Sequence, residues 1–414
     1  MSDVRRKTEA ARTASKRLAT APAEEKNTAL ETIARTLREE QDSILECNSE
    51  DLRKGEEAGI SPALADRLKL TETRLEEMAR GLEELTRLPD PVGEVMERTE
   101  RENGLRIEKV RVPLGVIGMI YEARPNVTVD AAGLALKTGN AVVLRGSSSA
   151  YRSNARLVEI IRKSLALTPL PRDAVQLVED PDREAVREML HSNGRIDVII
   201  PRGGAGLIQR VVRESTVPVL ETGVGNCHIY VDRSADPEMA GRIVLNGKTD
   251  RPAVCNAVET LLIHREWADH HLHELGEALL TAGVEIRGCP RTRDRFSRAV
   301  PAHDTDWEKE YLDRILAVRV VDSLNEAMEH IDRYGTRHSE AIVTEDAEAA
   351  RRFLQEVDAA AVYHNASTRF TDGSQFGFGA EIGISTQKLH ARGPMGLKEL
   401  TSCKYRVLGS GQVR

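Results

Sequence analysis

Val142-Val-Leu-Arg-Gly-Ser-Ser-Ser149 is an apolar run of strand length that opens into a small polar loop. Upstream, Pro113-Leu-Gly-Val-Ile-Gly-Met-Ile-Tyr-Glu122 carries a second such run at 116–120. Short apolar runs bounded by Gly, Pro and Ser read as buried strands. Three more follow at 175–178, 198–200 and 217–220, with helical segments at 153–165 and 182–192 between them. Strands alternating with helices predict a doubly wound parallel sheet with right-handed crossovers, which binds nucleotides beyond its strand C-termini.

The same texture recurs over 226–385, with strands expected at 260–264, 315–321, 340–343 and 361–363 and helices at 267–282 and 323–334. Residues 1–88 read as helix, because Leu30, Ile33, Ala34 and Leu37 fall on one helical face. Gly59-Ile-Ser-Pro62 interrupts that run, with Ser61 as N-cap and Pro62 at the first helical position, and a second amphipathic helix spans 73–88. A coiled-coil oligomerisation arm is the alternative for 1–88, although no heptad is sustained across the breaks. Arg101-Glu-Asn-Gly104 carries an Asn-Gly turn signal before 105–112, where apolar and charged residues alternate as in an exposed hairpin strand. Such a strand needs a partner, which makes it a candidate subunit contact. The tail at 402–407 reads as one last strand.

The 414 residues carry 59 Lys and Arg against 66 Asp and Glu, a net charge of −7 that excludes a basic nucleic-acid binder. With 5 Phe, 7 Tyr and 2 Trp the chain lacks a base-stacking platform. No stretch approaches the ~18–20 apolar residues of a membrane span. The N-terminal residues lack the apolar core of a secretory signal, and Asp3 and Glu9 argue against a transit peptide. Cys47, Cys227, Cys255, Cys289 and Cys403 are odd in number and contain no CxxC, which points to a reducing cytoplasm and away from disulfides or structural zinc.

Several segments could carry chemistry. After the 141–144 strand come Arg145, Ser147 and Ser148 and no acid, a set suited to a 2′-phosphate and hence to NADP; a plain capped loop is the other reading. Ile200-Pro-Arg-Gly-Gly-Ala-Gly206 is a second glycine loop after a strand, with Gly203 and Gly204 as phosphate candidates. Asn246-Gly-Lys-Thr249 resembles the end of a P-loop, but Gly241 sits one residue too far upstream. Cys255 precedes the 260–264 strand near Lys248 and Arg251, whose charges favour a thiolate, against the alternative of a buried inert thiol. Cys227 follows a glycine loop, while Cys47, Cys289 and Cys403 read as structural or surface residues. His264, His270, His271 and His273 match no metal-ligand spacing and read as a solvated face.

Four motifs together carry a resemblance. They are Pro113-Leu-Gly-Val-Ile-Gly-Met-Ile-Tyr-Glu-Ala-Arg-Pro-Asn126, Leu136-Lys-Thr-Gly-Asn-Ala-Val-Val-Leu-Arg-Gly146, Leu220-Glu-Thr-Gly-Val-Gly-Asn-Cys-His228 and Asp250-Arg-Pro-Ala-Val-Cys-Asn-Ala-Val-Glu-Thr260. With Glu381-Ile-Gly-Ile-Ser-Thr-Gln-Lys-Leu-His-Ala-Arg-Gly-Pro-Met-Gly396, they resemble the γ-glutamyl phosphate reductases of the aldehyde dehydrogenase superfamily over essentially the whole chain. The resemblance implies an α/β fold: a Rossmann-type NADP(H)-binding domain (1–95 and 113–225), an α/β catalytic domain (226–400) and an oligomerisation hairpin and tail strand (96–112 and 401–414). It implies NADPH-dependent reduction of L-glutamyl 5-phosphate to the 5-semialdehyde, the second step of proline synthesis, in a cytoplasmic homodimer or homotetramer. A glutamate 5-kinase would supply the substrate. Cys255 resembles the nucleophile, Asn126 the oxyanion donor, Glu221 a general base and Glu310 the nicotinamide-ribose ligand, with Arg145, Ser147 and Ser148 on the adenosine side. Arg124, Lys248 and Arg251 are the cations available for the substrate's anionic groups. Two rivals remain: an aldehyde dehydrogenase that makes a free acid, and a non-catalytic helical oligomerisation protein.

Overall fold

The computed structural model describes residues 1–414, the side chains of residues 62 and 63 excepted. The chain divides into two compact units, one of residues 1–222, 378–383 and 395–414, the other of 223–377 and 384–394. The domain division drawn from sequence placed 378–383 and 395–400 with the second domain; here they fold with the first. One reason is a long-range tie, in which buried Asn140 Nδ2 donates to the Leu400 carbonyl at 2.9 Å.

In the first unit the helices Asp3–Leu18, Ala23–Glu39 and Glu72–Arg87 each bury an apolar face, while Gln41–Glu57 buries Ile44 with Asn48, Asp51 and Gly55, and Pro62–Leu68 buries Leu68. Ser61 caps Pro62–Leu68 by accepting from the Leu64 amide, as its position beside a helix-breaking glycine predicted. The coiled-coil alternative is set aside: these helices pack back onto the unit, and a Cβ on Gly133 of the Asn126–Lys137 helix would collide with Leu82 and Leu85. Burying leucines such as Leu30, Leu37 and Leu82 stabilises this packing by about 2 kcal/mol each.

That helical layer covers a four-stranded parallel sheet in the order Val175–Leu177, Ala141–Arg145, Val116–Tyr121, Val198–Arg202. The strand order reverses between Val116–Tyr121 and Val198–Arg202, the place where such sheets open a ligand crevice. Residues 217–220 form only a bridge, Ile199 to Val219, and not the expected strand. Pro218 lacks the N–H that a fifth ladder would use. The charged hairpin is present as Val95–Glu100 against Arg106–Pro113, and the tail strand Thr401–Leu408 pairs with Arg106–Pro113 along its length.

The second unit is built on a seven-stranded parallel sheet in the order Val300–Pro301, Glu285–Gly288, Ile315–Val321, Val258–His264, Cys227–Val231, Ser339–Val343, Ala361–His364. Its interior strand Cys227–Val231, beside the middle strand Val258–His264, is fully buried, and the sequence reading did not expect it. A five-residue run that starts with Cys-His after a glycine loop carries little periodicity to read. Pro237–Thr249, Arg265–Thr281, Leu324–Tyr334 and Ala347–Glu356 are the main helices of this unit. Asn246-Gly-Lys-Thr249 is the last turn of Pro237–Thr249, so the P-loop-like tetrad is helix and cradles nothing.

Candidate active site

All five cysteines are free thiols, and their surroundings separate them. Cys227 opens an interior strand of the second unit's sheet with no solvent exposure. Burial, reinforced by the nearby Glu340 charge, pushes its thiol well above the ordinary range and keeps it protonated. Cys255 lies half-buried in the loop before Val258–His264. Its carbonyl accepts a hydrogen bond from the Cys227 thiol at 3.1 Å.

The backbone around Cys255 is packed against glycine for a steric reason. A Cβ on Gly225 would stand 1.5 Å from the Cys255 carbonyl oxygen, so only a residue without a side chain fits. The Gly225 amide donates to Glu310 Oε1 at 2.9 Å, which brings two of the residues singled out in the sequence to one place. On the other side, Asn256 Nδ2 donates to the Thr371 carbonyl at 2.9 Å, and Thr368 Oγ1 donates to the Asn256 carbonyl at 2.7 Å. The Cys255–Asn256 turn is thereby fastened at both flanks.

Lys248 does not fit the role of a substrate-binding cation. Its side chain is fully buried and paired with equally buried Glu259 at 2.6 Å. Proximity to Cys255 in sequence suggested a cation facing the site; the helix ending at Thr249 turns it inward instead. Arg251 is exposed and held at φ +56, the left-handed region that L-residues avoid. It lines a cavity of about 350 Å³ with Asn246, Asp250, Arg369, Asp372 and Gln375. Arg369 is a residue that sequence reasoning missed. Its guanidinium donates to the Asn256 side-chain oxygen and lies 3.4 Å from Asp250, more than a hundred residues away in the chain.

In the first unit, Arg145, Gly146, Ser147, Ser148, Tyr151 and Asn154 line one side of a cavity of about 300 Å³. Arg145 donates to the carbonyls of Gly146 and Pro181, forms no ion pair among the described residues, and leaves Nε buried without a partner. Asn154 Oδ1 accepts from Thr128 Oγ1, leaving Nδ2 buried and unpartnered at the wall. A Cβ on Gly146 would fall 2.2 Å from that nitrogen, so glycine is required for the loop to pass. Ser147 caps the short turn by accepting from the Ser149 amide, so the capped-loop reading holds for it, while Ser148 is exposed. Glu179 and Asp180, from the end of Val175–Leu177, line the opposite side. The loop itself carries no acid, but the adjacent parallel strand brings two into its cavity from a distance in sequence.

The glycine loop at 203–204 is also corrected. Gly204 N–H donates to Glu122 Oε2 at 3.0 Å, and a Cβ on Gly203 would collide with the same carboxylate. A side-chain anion thus stands where a phosphate was expected. Asn126 begins the helix after Val116–Tyr121 and donates through Nδ2 to Asp130 Oδ2 at 3.0 Å. Burial pushes the Asp130 carboxyl up to about 6, opposed by the Asn126 hydrogen bond. Arg124 and Glu221 are both half-buried in this unit, Arg124 in the turn that leads into the Asn126 helix.

A parallel sheet of Rossmann order, a cation-bearing loop at a strand end, and a cysteine on a fastened turn define a nucleotide-dependent dehydrogenase architecture. A model of the aldehyde dehydrogenase family matches residues 1–287. An acetylating aldehyde dehydrogenase from Geobacillus thermoglucosidasius shares the fold at TM-score 0.70 with 18% identity, 100% of this chain covering 97% of that one. Within the family, the chain belongs to the γ-glutamyl phosphate reductases and is an oxidoreductase. It is 59% identical over 100% of both chains to γ-glutamyl phosphate reductase 1 of Bacillus licheniformis. The crystal structure of γ-glutamyl phosphate reductase from Thermotoga maritima matches at TM-score 0.98 with 51% identity, again over 100% of both chains. The non-catalytic rival is thereby removed.

Proposed function

We propose that the chain reduces L-glutamyl 5-phosphate to L-glutamate 5-semialdehyde with NADPH and releases phosphate, as the second step of proline synthesis from glutamate. Membership of the reductase family supports the reaction, and the half-buried cysteine on its fastened turn is the single observation that carries the mechanism. The Cys255 thiolate attacks the acyl carbonyl, and the C–O bond to phosphate breaks to leave a thioester. Asn126 holds the developing oxyanion: its amide has two N–H donors, and the one bonded to Asp130 sets the orientation of the other. When bound, NADPH supplies the hydride that reduces the thioester carbonyl. The resulting thiohemiacetal expels the Cys255 thiolate as the aldehyde forms. Phosphate is the leaving group, so no hydrolytic water is needed and Glu221 has no basic duty in the forward reaction.

The residues fit the nicotinamide cofactor at the adenosine end. Arg145 forms no ion pair among the described residues, with the Asp180 charge acting on it across the cavity, and has an unsatisfied buried Nε; Asn154 Nδ2 is unsatisfied on the same wall, a donor set suited to a 2′-phosphate. Glu310, fixed on the Gly225 amide, would hold the nicotinamide ribose. Arg124 and Arg251 are the cations left for substrate, and Arg369 joins Arg251 at its cavity. Glu179 and Asp180 favour a second reading in which NADH also serves, since strand-end acids bind ribose hydroxyls. We assign the exposed three-stranded sheet, with Tyr405 and Val407 open to solvent, as the contact of a homodimer or homotetramer in the cytoplasm, supplied by a separate glutamate 5-kinase.

The direct test runs the reaction backwards. NADP⁺ reduction with glutamate semialdehyde should require inorganic phosphate, whereas phosphate-independent turnover would signify oxidation to a free acid. Arg145→Ala should raise the KM for NADPH about 10-fold or more with little change in that for NADH. An equal effect on both cofactors would favour the second reading.

A further inference from the structure

Lys248 and Glu259 form the most deeply buried ion pair of the second unit, with both side chains fully inaccessible and 2.6 Å apart. Such pairs add little stability compared with apolar residues of the same volume, because two charges must leave water. Burial pushes the Glu259 carboxyl up and the Lys248 ammonium down, and their mutual attraction opposes both shifts. Their contacts show what else the pair holds.

The second carboxylate oxygen of Glu259 accepts from the Leu312 amide at 3.2 Å. Leu312 is at φ +55, a left-handed conformation that a leucine keeps only when its surroundings impose it. The preceding Tyr311 has its ring 6.0 Å from Lys248 Nζ and 5.1 Å from the Arg287 guanidinium. Its hydroxyl donates to Asp306 Oδ1 at 2.8 Å, and Arg287 pairs with the same oxygen. The turn at 310–312 is therefore held from both sides, and Glu310 is its first residue. Glu310 in turn accepts the Gly225 amide, whose Cα packs on the Cys255 carbonyl.

We propose that Lys248 and Glu259 are a positioning pair for hydride transfer, clamping the 310–312 turn so that Glu310 meets the nicotinamide ribose. This rests on the reading of Cys255 and Glu310 given above. Neither member of the pair touches substrate or cofactor; both act through Glu310. Thioester formation, which requires Cys255 but not Glu310, is expected to tolerate loss of the pair.

Two half-reactions separate these roles. Mixing enzyme with L-glutamyl 5-phosphate in the absence of NADPH gives a burst of phosphate equal to the thioester formed, and adding NADPH then reports hydride transfer. The double variant Lys248→Met, Glu259→Met fills the same volume without charge and should keep the parent's melting temperature and phosphate burst. Hydride transfer should fall about 100-fold, with a raised KM for NADPH. Glu259→Gln keeps an acceptor for the Leu312 amide, loses the charge on the lysine, and should fall between the two; it serves as the test if the double variant does not fold. Parental hydride transfer in the double variant, or an equal loss in burst and hydride transfer, would overturn the proposal. A missing burst in the parent, or a burst that survives in Cys255→Ala, would instead refute the underlying reading.

Discussion

The Cys227 thiol donates to the Cys255 carbonyl at 3.1 Å, so two cysteines share one small volume of the second unit. Their chemistry diverges because their backbones do. Cys227 is locked in an interior strand of a parallel sheet, without solvent and beside the buried Glu340 charge, both of which disfavour a thiolate. Cys255 stands one loop away on a turn that Gly225 lets pass and Asn256 fastens. Residue type is the same at both places; burial and the freedom of the chain decide which thiol can react.

The widest separation between the two should come from replacing each in turn. Cys255→Ala should lose at least about 10⁴-fold in kcat, the scale on which removing a nucleophile acts. Cys227→Ala should stay within about 10-fold of the parent, since it removes only weak sulfur contacts, to the Cys255 carbonyl and to His338 Nδ1. Comparable losses in both variants, by steady-state NADPH oxidation, would erase the distinction. Next in size, Gly225→Ala places a Cβ against the Cys255 carbonyl and should cost about 100-fold in activity through displacement of the turn. An active Gly225→Ala enzyme would show that the close approach is not needed.

A smaller effect concerns the pocket behind Cys227. His338 is fully buried, with Nδ1 2.8 Å from Ser339 Oγ and 3.7 Å from Cys227 Sγ, and burial pushes it down to about 4. A histidine whose folded pKa lies below its unfolded value keeps its full stability above about pH 6.5 and loses it as the pH falls toward about 4. In that window the unfolded chain takes up a proton that the folded chain refuses. The loss should reach about 3 kcal/mol at pH 4, and denaturant melts of His338→Asn should show a correspondingly flatter pH profile. An unchanged profile would place the acid sensitivity elsewhere, with His330, pushed down to about 2 by burial, the next to test.

The same contrast separates what could be read from sequence from what could not. Strand-length apolar runs other than 217–220, the Ser61 cap and the charged hairpin follow from local periodicity and turn chemistry, and they stand in the structure. Local sequence favours Cys255 over Cys227 through the charges of Lys248 and Arg251, and Lys248 turns out to be buried against Glu259. Two failures are local, the Pro218 segment that forms only a bridge and the short Cys227–Val231 strand, and the rest are long-range. Glu122 fills the Gly204 amide from 82 residues away, and Glu179 and Asp180 enter the Arg145 cavity from the adjacent strand. Lys248 looked like a free cation because its partner Glu259, 11 residues on, faces it only once helix and strand pack. Arg369 left no local signal, since its tie to Asn256 spans 113 residues.

The proposed reaction passes through a glutamyl thioester at Cys255, and the most direct measurement is peptide mass spectrometry of enzyme quenched in acid after mixing with L-glutamyl 5-phosphate without NADPH. A glutamyl adduct is predicted on the peptide that contains Cys255, lost on adding NADPH before the quench, with the Cys227 peptide unmodified. An adduct on Cys227, or none on either cysteine, would contradict it.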